Sequence, residues 1–153
     1  MNGNIIALFI CPIAGSKMQS VQEVKAIAGR GLDGDRYSTG DGSFNKGAQG
    51  NRQVTLINGI FFEGSGFEYH ESRRNIVTKD IELMWLIGRE FRIGSAVFRG
   101  IRYCDPCERP HKLSGNRKSF KDTFLDRGGL IAEIIESGII KIGDKIIPPP
   151  KGY

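Results

Sequence analysis

The chain is short of the residues that announce a metal centre or a membrane. It has two histidines and three cysteines in 153 residues. Cys104, Cys107 and His111 stand in a C-x2-C-x3-H array, and only the distant Cys11 or His70 could complete a tetrahedral zinc set. No run approaches the eighteen or so apolar residues of a membrane-spanning helix. The apolar stretch from Ile5 to Ala14 has no basic segment before it, which argues against a signal peptide, and Ile10 before Cys11 argues against a lipoprotein cleavage site. An odd cysteine count with two residues only three apart does not build a disulfide framework. It suits free thiols in a reducing compartment, so a cytoplasmic location and no membrane partner are expected.

Glycine and positive charge are in good supply. Twenty-one glycines imply many tight turns and short strands, and a formal charge of +5 suits an anionic ligand, a phosphate or a nucleic acid without choosing among them. A hydrophobic fraction of 39% and a charged fraction of 25% are those of a globular protein, expected to be one domain over residues 1–153.

Short β-rich runs recur along the chain. Ile5 to Ile10, Val21 to Ala28, Gln53 to Ile57 and Arg74 to Thr78 read as strands, and Glu90 to Ile93 with Ala96 to Tyr103 as a hairpin across Gly94-Ser95. Leu130 to Glu136, Ile139 to Ile142 and a final strand before three prolines follow. Phe120 and Phe124, four apart, place a helix within Lys118 to Asp126. The glycine-rich segment from Gly29 to Gly50 reads as a long loop, ordered over GRGLDGDR and mobile around Gly40 to Gly50. The pattern predicts a mainly β, antiparallel, barrel-like domain with a few short helices.

The sharpest chemistry lies in FRGIRYCDPCERP, from Phe98 to Pro110. Asp105 and Pro106 read as the cap and first residue of a short helix, which puts Cys107 in its first turn, where a thiolate is favoured. Arg102, Arg109 and Lys112 push the same way. Cys107 is therefore a nucleophilic or metal-ligating sulfur on one reading, and a plain buried thiol on another. A thioredoxin-like redox dithiol needs the motif to open a long helix in a βαβ setting, and these surroundings are strand-rich. Arg73 and Arg74 point to opposite faces in strand geometry, with Arg73 and Asn75 sharing one.

GRGLDGDRY, RQVTLI, RRNIVT, LIGREFRIG, the CDPC turn and RGGLIAEIIESGIIKIGDKI follow one another in an order that resembles a MOSC domain, over about residues 5 to 147. This is the domain found at the C-terminus of molybdenum cofactor sulfurases and in small stand-alone bacterial proteins. The resemblance implies a β-barrel-like fold that binds the molybdenum cofactor (molybdopterin), carries sulfur as a cysteine persulfide, or does both. It makes Cys107 the catalytic sulfur and the molybdenum ligand. Arg36, Arg73 and Asn75 would contact the pterin phosphate or its polar edge.

Larger members enclose the pterin with an additional N-terminal segment, so an open pocket is expected here, with Lys17 in reach of that role. No pyridoxal phosphate is expected on this chain, which makes a separate cysteine desulfurase, or another sulfur donor or acceptor protein, the expected partner. Two readings stand beside this one. A basic barrel could bind nucleic acid, although the arginine-bearing strands lack interleaved aromatics. A molybdenum-dependent reductase of N-hydroxylated compounds would need an electron partner.

Overall fold

The computed structural model describes residues 3–39, 52–115 and 118–150. The expected mobility around Gly40 to Gly50 lies outside them. The strands are β1 (Gly3–Ile10), β2 (Gln19–Ser20), β3 (Glu23–Ile27), β4 (Gly31–Leu32), β5 (Val54–Asn58), β6 (Ile76–Lys79), β7 (Glu90–Ile93), β8 (Ala96–Tyr103), β9 (Leu130–Glu136), β10 (Gly138–Lys141) and β11 (Lys145–Ile147). Three short helices join them: α1 (Arg36–Thr39), α2 (Arg109–Ser114) and α3 (Phe120–Thr123). No helix among the described residues is long and apolar enough to cross a membrane.

Seven strands close into a barrel in the order β1-β6-β5-β9-β8-β7-β11, with β11 pairing back onto β1. Closure leaves these strands without a free edge to template aggregation. The fold is mainly β, as the sequence implies, and its ladders are antiparallel except for β5 with β6. A parallel pair needs a crossover, and residues 59–75 supply it with two 3-10 turns, Gly59–Phe62 and Tyr69–Ser72. That crossover delivers Arg73 and Arg74 to the site described below. A second sheet, β10-β3-β4, lies beside the barrel.

Two apolar cores hold these layers. Ile5, Leu8, Leu56, Ile76, Phe98, Leu130 and Ile146 fill the first. Ala7, Phe9, Val77, Phe62, Phe67, Phe120 and Phe124 form the second, under the crossover and α3. β1 serves both because its side chains alternate between two buried faces, and a register shift against β6 between Ile5 and Ala7 sets Ile5 and Leu8 on the same one. A bulge of this kind re-aims the side chains beyond it. Phe120 opens α3 and Phe124 caps its end, and their rings stack at 4.5 Å, one turn apart as their spacing predicts.

Candidate functional site

The site is built from loops that meet over β5 and β6. Its foundation is Asp35, fully buried after the turn that follows β4. Asp35 caps α1 by accepting from the Tyr37 N–H at 3.2 Å, takes the Cys11 N–H at 2.8 Å, and binds Arg36 Nη1 at 3.2 Å. Burial pushes its carboxyl above the ordinary range, against the pull of Arg36 and of the Cys11 and Tyr37 N–H groups.

Asn75 is the second foundation stone. Its Nδ2 donates to the Phe9 carbonyl at 3.2 Å and to Asp35 Oδ1 at 3.3 Å, while its Oδ1 accepts from the Thr55 N–H and hydroxyl at 3.1 and 3.2 Å. With both donors and the acceptor so engaged and the residue wholly buried, Asn75 has nothing left for a ligand. The expected pterin contact from Asn75 is therefore replaced by a framework role that ties β1, β5 and the Asp35 turn together.

Above this foundation a pocket is lined by Arg36, Arg52, Arg73, Arg74 and Arg109, with Tyr37, Asp105, Cys107 and Pro110 completing the wall. The structure thus brings Cys107, Arg36 and Arg73 to one place. Arg36 is only 5% exposed; its Nη2 donates to the Tyr37 hydroxyl at 3.0 Å and to the Arg73 carbonyl at 3.3 Å. Arg73 donates to the Ser16 carbonyl at 2.8 Å and to Cys11 Sγ at 3.4 Å. Burial first, then Arg36, drives the Arg73 guanidinium below its ordinary range. Arg74, 6% exposed, donates through Nε to the Gly128 carbonyl at 2.8 Å and through Nη1 to the Ser72 carbonyl at 3.1 Å. Its buried Nη2 has no partner among the described residues.

Strand geometry at Arg73 and Arg74 fails here. Arg73 adopts φ +62°, closing the second 3-10 turn, and β6 starts only at Ile76. Period-2 alternation does not operate across that kink, so both guanidinium groups reach the same pocket.

The two cysteines of the turn differ. Cys104 is sealed at 0% exposure, while Cys107 is partly exposed in the pocket wall. Helix α2 starts at Arg109, with Glu108 as its cap and Pro110 in its first turn, so Cys107 lies before the helix and not inside it. The Glu108 carboxylate is turned away to α3, accepting from Lys121 N–H and Ser119 Oγ, and these bonds hold it below the usual carboxylate range. Of the three cations expected near the thiol, Arg109 lines the pocket; Arg102 and Lys112 are exposed and do not. Gly128 explains the position of the turn: a Cβ there would lie 2.0 Å from the Cys104 carbonyl oxygen.

No trio of His, Cys, Asp or Glu side chains gathers as a metal site among the described residues, which removes the zinc array. Helix α2 has six residues and follows an antiparallel barrel strand, so the dithiol setting of a thioredoxin is not reproduced. Beside the pocket, and sharing Arg73 and Pro110 with it, runs a cleft of about 310 Å³ lined by Lys17, Met18, His70, Glu71 and Leu113 among others. Sequence reasoning missed Arg52, Arg74, Tyr37 and Cys11 at this site. The Arg-Arg dipeptide was the available signal for Arg74, and Tyr37 and Arg52 stand at the ends of the motifs GRGLDGDRY and RQVTLI; nothing local marks Cys11.

A closed seven-stranded barrel with a cysteine turn beside a cluster of arginines defines the class of the fold, a small β-barrel domain. The chain belongs to the MOSC domain family, whose profile matches residues 53–147. Among solved structures it is similar to the YuaD protein of Bacillus subtilis, at 17% identity over 95% of this chain and 94% of that one, with a TM-score of 0.78. It is also similar to YiiM of Escherichia coli, at 15% identity over 99% of this chain and 71% of the other, TM-score 0.65. YiiM of Geobacillus stearothermophilus is similar at 11% identity over 99% and 77%, TM-score 0.68. No curated protein matches the sequence.

Proposed function

We propose that this MOSC protein carries sulfur on Cys107 as a persulfide and holds the anionic end of the molybdenum cofactor on the arginines beside it. The supporting observation is that Cys107 shares its pocket with five guanidinium groups, of which those of Arg36, Arg73 and Arg74 are almost wholly buried. A phosphate oxygen would form charge-assisted bonds there and offset the burial and the Arg36 repulsion that weigh on Arg73.

The residues fit the cofactor in two parts. The arginine pocket measures about 40 Å³, room for roughly three waters. That is the scale of a phosphate rather than of a fused ring system. The ring system belongs in the neighbouring 310 Å³ cleft, which falls in the usual size range of small-molecule sites. Arg36, Arg73 and Arg74 would hold the phosphate, and Cys107 would offer its sulfur as the molybdenum ligand. When bound, the cofactor supplies two-electron redox chemistry.

For sulfur carriage, the Cys107 thiolate attacks the outer sulfur of a donor persulfide, the donor leaves as a thiolate, and Cys107 retains the sulfane sulfur. A separate desulfurase is the proposed donor partner. Such chemistry requires a reducing compartment, and the cytoplasm is the location proposed.

After exposure to polysulfide, Cys107→Ser abolishes labelling by a persulfide-specific reagent and Cys104→Ser only weakens it. Equal labelling of wild type and Cys107→Ser rejects the reading. Elemental analysis of freshly purified protein for molybdenum and sulfane sulfur tests which half is loaded in the cell.

A further inference from the structure

The arginine pocket is small, cationic and furnished with its own nucleophile, and these properties suit a second kind of donor. We propose that, beside a protein persulfide, Cys107 accepts sulfur from a small sulfane-bearing oxyanion of the thiosulfate class, with the arginines receiving the departing sulfite. The inference rests on the sulfur-carrier reading of Cys107.

Size is the first argument. A pocket of about 40 Å³ is on the scale of a tetrahedral oxyanion. Charge is the second. Five guanidinium groups face one rim carboxylate, Asp105, because the Asp35 carboxylate lies beneath the pocket and already accepts from Cys11, Arg36, Tyr37 and Asn75. Guanidinium groups match the oxygen spacing of such an anion and donate to two of its oxygens at a time. The third is burial: Arg36, Arg73 and Arg74 line the space at 5%, 8% and 6% exposure, so an anion there meets guanidinium groups little screened by water. The fourth is location: of the two cysteines in the turn, only Cys107 faces this space, and Cys104 is sealed away from it.

The step balances without any outside oxidant. The Cys107 thiolate attacks the outer, sulfane sulfur of thiosulfate and a new S–S bond forms. The original S–S bond breaks and its electron pair departs with the sulfite. Negative charge that was spread over thiosulfate gathers on the sulfite oxygens as the bond breaks, where the guanidinium donors stabilise it. Cys107 is left as a persulfide, and an acceptor nucleophile attacking its outer sulfur regenerates the thiolate. This is a two-step, covalent exchange.

The test uses the purified full chain with thiosulfate as donor and cyanide as acceptor, reading thiocyanate, released sulfite and the mass of the protein. The expected result is turnover that saturates in thiosulfate, sulfite released before cyanide is added, and one extra sulfur on Cys107. Cys107→Ser abolishes all three. Arg109→Gln, an exposed position where folding is not at issue, raises the thiosulfate KM about tenfold, the loss of one charge-assisted contact. Arg74→Gln raises it further. If polysulfide loads Cys107 while thiosulfate neither loads it nor releases sulfite, the donor class is wrong and the carrier reading stands. If neither reagent loads Cys107, the carrier reading falls and this inference with it. An unchanged KM in Arg109→Gln and Arg74→Gln overturns the role given to the arginines.

Discussion

Asp35 and Asn75 bind nothing that enters the pocket, yet they decide where its arginines stand. Replacing Asn75 by Ala orphans the Thr55 N–H and the Phe9 carbonyl that it now satisfies. We expect a loss of roughly 1–3 kcal/mol for each group so stranded, read by urea unfolding. Asp35 makes a pH-dependent contribution. Its carboxyl is raised in the folded protein, first by burial, so the unfolded chain gives up that proton earlier. Stability from this group is therefore full below the unfolded pKa of about 3.9 and is lost as pH rises through the raised value. The stability of wild type relative to Asp35→Asn should be greatest in acid and shrink towards neutral pH; a difference that widens with pH contradicts the assignment.

At this scale the sequence was only partly readable. Cys107, Arg36 and Arg73 could be named because the family order of motifs places them, and the structure gathers them. Asn75 could be named but not its direction, since a side chain that satisfies Thr55, Phe9 and Asp35 at once depends on three distant segments. Nor does the sequence carry the φ of +62° at Arg73 that puts Arg74 in the pocket.

Among the elements, those with strict local signals were legible. The hairpin of β7 and β8 has the boundaries that Gly94-Ser95 and the flanking alternation imply, and β9 likewise. Helix α2 was misplaced because two start signals compete: Asp105-Pro106, and Glu108 followed by Pro110. The second prevails. Pro106 is instead packed against Gly128, and the turn lies flat on the start of β9. Gly128→Ala should therefore drive the cysteine turn outward, because the added Cβ meets backbone that cannot swing aside. An overpacking cost of about 1–3 kcal/mol should accompany a loss of persulfide loading at Cys107. Thermal unfolding and polysulfide labelling read the two effects together. Full loading in a destabilised Gly128→Ala protein would show that the turn does not depend on this contact.

The whole molecule is a closed barrel whose formal charge of +5 is concentrated, in part, in one cationic pocket. Its barrel class was readable from short strands and glycine turns, whereas the parallel pairing of β5 with β6 was not, since strand direction is settled by the route of residues 59–75. A ligand that binds the folded state alone raises stability by mass action. Inorganic phosphate should raise the melting temperature of wild type, and do so less for Arg74→Gln; an equal rise in both would mark a general salt effect.

An anion seat directly beside the Cys107 thiol is what both halves of the proposed function require. The rate at which Cys107 is alkylated by iodoacetamide, an uncharged reagent, with and without millimolar phosphate tests this most directly. Phosphate should slow the modification of Cys107 in wild type and slow it less in Arg74→Gln. Modification at the same rate with and without phosphate in wild type would contradict the account.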